Sequence, residues 1–277
     1  MKMFLFVAVL CVALLGPSLT GSDLPRELTA EEIVTRTVAR AEAQRQAALR
    51  YTFQKRSISE VLDEGRLRKR KENLYLVVPV QEFTYERLLQ KNGQPLTALE
   101  RKKETEKERK FRLRVSNGKP PRTDDERDVS LDEALIARYD FRLKGREVKE
   151  GRPVFVLEFV PKGNVPAREM QDRVLNRLKG VAWVDVEDFE LVRLEVALME
   201  KVTLGLGLAA MHEFTLEMAR TRLADGTWMD TFLGGAMKFR ELFNVKQVKF
   251  EETMSGFQLV TERLADQRDM QENPGLD

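Results

Sequence analysis

The side chains that could do chemistry in this sequence are few, and a histidine comes first among them. His212 is the only histidine in the 277 residues. A metal site built from several histidines is therefore excluded, and a serine–histidine relay would depend on His212 alone. Because His212 lies in a segment of alternating polarity, we interpret it as a strand residue at the surface of a sheet.

Carboxylates form the second group with chemical potential. Asp185, Glu187, Asp188 and Glu190 crowd one short segment. A pair of carboxylates could hydrolyse a glycoside, and a cluster could bind calcium. We favour a simpler interpretation, in which residues 186–190 form the turn of a hairpin and acidic side chains suit its solvated tip.

Glycine motifs that bind phosphates or hold a nucleophile are missing. The sequence contains no P-loop, no Gly-x-Ser-x-Gly and no dinucleotide-binding fingerprint. Gly205-Leu206-Gly207 lacks a third glycine, and we expect it to let an apolar edge bend. We therefore expect no enzyme, no cofactor and no metal site.

The N-terminus has the pattern of a secretory signal peptide. Lys2 precedes an apolar run from Met3 to Leu15, and small residues follow before Asp23. A basic start, a short apolar core and a small-residue exit are typical of such signals, and the run is too short to span a bilayer. We predict a signal peptide over residues 1–22 and export, to the periplasm. Cys11 lies inside the apolar run, so we expect it to leave with the signal.

Composition fits a globular protein with a solvated exterior. Hydrophobic residues make up 42% of the chain, charged residues 33%, and the formal net charge is only +2. This balance does not call for a nucleic-acid partner. No second apolar segment after residue 22 is long enough to span a bilayer.

Local signals predict one helix followed mainly by antiparallel strands. Thr29 and Glu32 form a capping box that opens a helix free of Gly and Pro as far as Tyr51. Acidic-Gly or Asn-Gly pairs between strand-like runs then indicate hairpins. These pairs stand at 64–65, 92–93, 150–151 and 225–226.

The predicted organisation is a single β domain over residues 23–258, with a polar tail over 259–277. A charged segment, 96–114, is predicted to form an exposed helical insertion supported by ion pairs between successive turns. A short helix is expected from Ser130 through Ile136. A loop with one helical turn is expected over 161–178.

The strands alternate between apolar and polar residues, which is typical of a sheet with one wet face. We predict that the apolar residues of three strands line one continuous concavity, with two tryptophans at or near its rim. The predicted ligand-binding residues are Phe155, Leu157, Phe159, Trp183, Leu194, Val196, Phe214, Leu216, Met218 and Trp228. Val156 and Arg193 are expected to point to the opposite face.

The order of these elements resembles a known superfamily. Four stretches carry the resemblance: residues 85–96, residues 145–159, residues 180–195 and the glycines at 205–207. They are similar to the periplasmic lipoprotein carriers that include the outer-membrane lipoprotein-sorting proteins and related sigma-factor regulator sensors. The resemblance implies a mainly β fold with helices: a curved, half-open antiparallel β-barrel covered by helices, whose concavity holds acyl chains.

Three functions are compatible with the sequence. The leading hypothesis is a periplasmic carrier or sensor for an acylated or otherwise apolar ligand, with a membrane-associated delivery partner. The second is an envelope binding or scaffold module whose sheet packs only on its own helices. An exported hydrolase is the least supported of the three.

Overall fold

The computed structural model describes residues 27–119, 133–204, 209–242 and 244–260. The predicted signal peptide, Cys11, the glycines at 205–207 and the tail from residue 261 onward lie outside these ranges. All counts of helices and strands refer to the described residues alone.

The first element is a helix, α1, at Ala30–Ala48. Its start is the predicted capping box: the Thr29 hydroxyl accepts from the Glu32 backbone N–H at 3.2 Å, and the Glu32 carboxylate accepts from the Thr29 N–H at 2.8 Å. These bonds satisfy backbone N–H groups that have no partner within a helix. Ala30, Ile33 and Val34 are buried, which gives the helix one packed side.

Three further helices and twelve strands follow α1. The helices are α2 at Ala98–Ser116, α3 at Glu133–Ile136 and α4 at Met170–Leu175. The strands are β1 at Tyr51–Asp63, β2 at Arg66–Val80, β3 at Phe83–Lys91, β4 at Gln94–Pro95, β5 at Tyr139–Lys149, β6 at Arg152–Pro161, β7 at Leu178–Asp185, β8 at Leu191–Leu198, β9 at Val202–Leu204, β10 at Ala209–Arg222, β11 at Trp228–Glu241 and β12 at Asn244–Leu259.

All strands belong to one sheet in which the described pairings are antiparallel. The order is β4-β3-β2-β1-β12-β11-β10-β8-β7-β6-β5, with β9 paired to β10 off this path. The sheet does not close: β4 and β5 are its two ends. The prediction of a mainly antiparallel β fold with helices is confirmed. The curvature of the sheet into a half-open barrel stays a prediction.

The backbone of the hairpin turns shows why acidic-Gly and Asn-Gly pairs predict hairpins. Glu64 and Gly65 have φ angles of 49° and 77°, and Glu150 and Gly151 have 49° and 79°. Two successive positive φ angles match the twist of the flanking strands, and glycine adopts them without strain. The turns at 64–65 and 150–151 therefore fix the register of β1–β2 and of β5–β6.

The charged insertion forms α2, which packs on β3. Its outward side is exposed, whereas Val115 is buried against Val78 and Tyr85. Polar contacts add to this packing: the Tyr85 hydroxyl donates to the Glu104 carboxylate at 2.7 Å, and the Arg87 guanidinium donates to both Glu108 oxygens at 2.7 Å. The helix is thus fixed to the sheet along one side.

Candidate ligand-binding face

The register of the sheet assigns each side chain to one of two faces. Residues directly opposite each other in antiparallel strands point to the same face, and neighbours along a strand alternate. One row across six strands consists of Phe159, Gly180, Val196, Leu216, Gly235 and Phe250. Phe155 and Leu157 share the face of this row, and α1 packs against them. We call this side the helix face.

One part of the helix face is filled by α1. Ile33 is fully buried there, and Phe155 and Leu157 are each 1% exposed. Val184 completes the cluster, and Leu194 packs against its border. Over β6, β7 and the near end of β8, the helix face is therefore ordinary core.

The neighbouring part of the helix face has no such cover among the described residues. Its apolar side chains are half-buried and belong to none of the three core clusters. They lie on β10, β11 and β12, and we call them the open patch: Phe214, Leu216, Met218, Leu233, Met237, Val248 and Phe250. Met218 pairs with Leu194, so the open patch continues directly from the α1 core.

Glycines shape the row through the open patch. A Cβ at Gly235 would lie 2.3 Å from the Thr215 carbonyl oxygen and 3.0 Å from the Phe250 ring. A Cβ at Gly180 would lie 2.5 Å from the Phe159 ring. The rings thus lie down over glycines of the adjacent strands, which no larger residue would permit. The result is a flattened apolar surface.

The ten predicted ligand-binding residues divide between these regions. Eight share the helix face. Phe155 and Leu157 are in the α1 core, Leu194 borders it, and Phe159 contacts Tyr139 and Phe141 with ring centroids at 5.3 Å and 6.0 Å. Val196 is half-buried between the core and the open patch, which contains Phe214, Leu216 and Met218. Ligand binding by any of them stays a prediction.

The two tryptophans lie elsewhere. Trp183 is 8% exposed and Trp228 is 2% exposed, both in a separate cluster with Val154, Val156 and Val192. The Trp183 ring nitrogen donates to Glu147 at 3.1 Å, and that of Trp228 donates to Asp188 at 3.0 Å. Trp183 belongs to the face opposite the helix face, because it alternates with Ala182 along β7. Both rings are buried in this second core, and ligand binding by either of them stays a prediction.

Sequence reasoning missed four members of the open patch: Leu233, Met237, Val248 and Phe250. Gly234-Gly235 interrupts the apolar alternation of β11. In β12, Val248 and Phe250 do alternate with polar residues, and this pattern was the available signal.

The face opposite the helix face carries a trough of ≈ 940 Å³ that crosses eight neighbouring strands, from β2 to β6. Two rows of side chains border it. One row is rich in carboxylates and contains Glu158, Glu195, Glu217 and Glu251; the other contains Arg70, Glu60, Lys249 and Lys179. Apolar side chains line the trough between these charges: Ile58, Val160, Val181, Ala197 and Phe232. The trough therefore combines apolar surface with charge of both signs.

Lys55 belongs to the helix face and lies next to the apolar surface. The Lys55 ammonium contacts the Glu86 carboxylate, lies 3.4 Å from Glu252 and stands 5.5 Å from the centre of the Tyr75 ring. Burial acts to lower the pKa of Lys55, but attraction to Glu86 and Glu252 outweighs it and the pKa is raised. Lys55 is thus a charged but paired group at the border of the apolar surface.

The predicted hairpin turn is present at residues 186–188, with Glu187 exposed, but the carboxylates of Asp185 and Glu190 on either side of it are buried. Asp185 is 0% exposed. The Arg152 guanidinium donates to its two oxygens at 2.6 and 2.9 Å, and the backbone N–H groups of Glu187 and Asp188 donate to it at 2.9 and 2.8 Å. For Asp185 the prediction of a solvated carboxylate was wrong, because its partner, Arg152, is 33 residues away in the sequence. Asp185 has its hydrogen-bonding capacity filled by structural contacts.

Within the described ranges, no group of three or more His, Cys, Asp or Glu side chains is placed to hold a metal ion. Among the helices described, none is long and apolar enough to cross a membrane.

Comparison with known proteins gives matches in structure alone. No family model matches the chain, and no curated protein matches it. A domain described as an outer membrane lipoprotein-sorting protein from Vibrio parahaemolyticus matches with 15% identity and a TM-score of 0.30, over 82% of this chain and 94% of that one. A LolA superfamily protein from Nitrosomonas europaea matches with 12% identity and a TM-score of 0.27, over 84% and 94%.

A third match is the MucA/MucB complex of Pseudomonas aeruginosa, with 14% identity and a TM-score of 0.25, over 82% and 94%. With TM-scores at or below 0.30 and identities at or below 15%, these matches carry no argument about this chain, and the resemblance to the superfamily stays a prediction.

Proposed function

We propose that this protein is an exported carrier or sensor that binds an acyl chain, or a ligand of similar shape and polarity, on the open patch. The observation that supports the proposal is an apolar surface that runs on from the α1 core without a described cover. Soluble domains rarely leave a contiguous apolar patch without a partner. A ligand lying on β10, β11 and β12 would extend the existing core.

The expected energy of such binding is large enough for a carrier. Removing a methylene from water stabilises by about 0.8 kcal/mol, so a ten-carbon stretch would contribute about 8 kcal/mol before the costs of ordering. Curvature of the sheet into a half-open barrel would increase the buried area. A membrane-associated partner would then receive the ligand.

The second candidate, a binding or scaffold module with a filled core, is favoured by a specific observation. Phe155, Leu157 and Val184 are packed against Ile33 with almost no exposure. This part of the helix face already has its partner in α1. A carrier would bind its ligand on the open patch, whereas a filled-core module would bind none there. Variants of the open patch therefore distinguish the two functions.

Leu216→Glu is expected to weaken lipid binding by at least tenfold, because a carboxylate on the open patch would be desolvated by a bound acyl chain. Thr215→Glu is the matched control: Thr215 is exposed, is adjacent on the same strand and points to the opposite face. The measurement is displacement of a fluorescent apolar probe by lysophospholipid, together with native mass spectrometry of lipid carried through purification.

Two results would contradict the carrier proposal. One is purified protein that carries no lipid and binds none of the added lysophospholipid. The other is an equal loss of binding in both folded variants, since the open patch would then have no special part. Circular dichroism and urea unfolding establish that each variant is folded.

A further inference from the structure

The rows of the open patch end at two lysines. The row through Leu216, Gly235 and Phe250 continues across Ser59 to Lys71. The row through Phe214, Met237 and Val248 continues across Val61 to Lys69. Opposed residues share a face, so both lysines belong to the helix face at the end of the apolar surface.

Lys69 and Lys71 differ from Arg68 and Arg70, the arginines that alternate with them, in having no ion-pair partner among the described residues. Arg68 lies 3.5 Å from Asp63, and Arg70 lies 2.6 Å from Glu60 and 3.1 Å from Glu72. Both lysines are exposed. The two cations that continue the apolar rows are therefore free to accept an anion from outside the described chain.

The position of these lysines gives a headgroup access to solvent. β3 pairs with β2 only from Asn73 onward, so residues 66–72 of β2 form an edge of the sheet in the described structure. From β10 to β2 there are four strand spacings, or about 19 Å. A long acyl chain lying along either row would thus reach from the open patch to this edge.

We propose that the bound ligand is an acyl lipid with an anionic headgroup, and that Lys69 and Lys71 hold the headgroup while the open patch holds the chain. The inference rests on the proposed function and names its ligand class. A lysine ammonium is a compact charge that suits phosphate or carboxylate oxygens. Because the lysines are exposed, they set headgroup preference while the apolar contacts supply most of the affinity.

The other charged groups on this part of the helix face do not cancel the preference for an anionic headgroup. Glu252 is the acidic group of the helix face on the same stretch of β12, two residues from Phe250, and it lies 3.4 Å from the Lys55 ammonium. Its charge is thus partly neutralised within the protein. Asp63 and Lys246 also belong to the helix face beside the Lys69 row, and each is paired: Asp63 lies 3.5 Å from Arg68, and Lys246 lies 2.8 Å from Glu241. Lys69 and Lys71 remain as the cations of the two rows that have no ion-pair partner among the described residues.

The test compares lysophosphatidylglycerol with lysophosphatidylcholine of the same chain length, using the unmodified protein and two double variants. The unmodified protein is expected to bind the anionic lipid about tenfold more tightly at low salt. Lys69→Gln with Lys71→Gln should reduce this preference to about twofold or less and leave the affinity for lysophosphatidylcholine unchanged. Lys179→Gln with Lys249→Gln, two exposed lysines of the trough face, should keep the full preference.

The outcomes separate this inference from the function on which it rests. Failure to bind either lipid would overturn the proposed function. Equal binding of the two lipids by the unmodified protein would overturn the headgroup site alone. Full competition by glycerol phosphate without an acyl chain would also overturn it, because the lysines would then form a site for free anions.

Discussion

Arg152→Met is expected to lower the free energy of unfolding by about 3 kcal/mol, near the lower end of the range for breaking a buried ion pair. The variant leaves the fully buried Asp185 carboxylate without its bidentate partner, although two backbone N–H groups still donate to it. Urea unfolding followed by circular dichroism measures the change. Arg142→Met, at an exposed position of β5, is the control and should change stability by less than about 0.5 kcal/mol.

The same pair predicts a pH dependence with a definite sign. Burial acts to raise the pKa of Asp185, but the hydrogen bonds from Arg152 and the backbone outweigh it and hold the pKa below its usual value. A carboxyl group of this kind stabilises the protein above its unfolded pKa, about 3.9, and the contribution is lost as pH falls through the lower folded pKa. Without Arg152, burial should raise the pKa of Asp185.

The stability difference between the unmodified protein and Arg152→Met should therefore shrink as the pH is lowered toward about 3, because protonation then removes the unpaired charge. Burial raises the pKa of Glu190, and the nearby Arg220 only partly compensates, so Glu190 gives the stability of each protein a pH trend of opposite sign. This trend cancels in the difference between the two proteins. A stability difference that stays constant from pH 7 to pH 3 would show that Asp185 and Arg152 are not coupled as the structure places them.

Phe155→Ala is expected to cost about 3–5 kcal/mol of stability, the usual range for removing a buried phenylalanine ring. Phe155 is 1% exposed and packs in the cluster built on α1. Phe214→Ala should cost less than half as much, because Phe214 is half-buried and belongs to none of the core clusters. The sequence predicts both residues for the same apolar face. The difference between the unfolding free energies of the two variants shows whether Phe214, like Phe155, lies in a filled core.

Equal and large losses in the two variants would indicate that the whole helix face is packed in solution and would favour the filled-core module. Added lysophospholipid supplies a second readout. It should raise the melting temperature of the unmodified protein and do so less for Phe214→Ala, since a ligand stabilises the state that binds it.

Local features of the fold could be predicted from the sequence, because each depends on residues close together in the chain. The Glu64-Gly65 turn forms because adjacent residues adopt positive φ angles. The start of α1 follows from Thr29 and Glu32, three residues apart. Alternation assigned Phe155 and Leu157 to one face for the same reason.

Features that depend on distant residues could not be predicted in this way. Nothing near Asp185 indicates that Arg152 will cover it, so the acidic cluster looked solvated. The apolar alternation of the strands does not indicate how far α1 extends over the sheet. The residues of the α1 core and those of the open patch therefore have the same pattern in the sequence. Trp183 and Trp228 are large amphipathic rings that suit a rim, yet hydrogen bonds to Glu147 and Asp188 satisfy them within a separate core.

The position of β1 beside β12 has a consequence for the time course of folding. These strands lie at the middle of the sheet, and Tyr51 pairs with Leu259. A chain that emerges N-terminus first from a ribosome or a translocation channel can pair β1 only with β2 until β12, which begins at Asn244, has appeared. Joining segments so far apart in sequence is slow, since the entropy of closing the intervening loop comes before the contacts are gained. The central seam of the sheet is thus its last part to assemble, and until then β1 presents an unpaired edge.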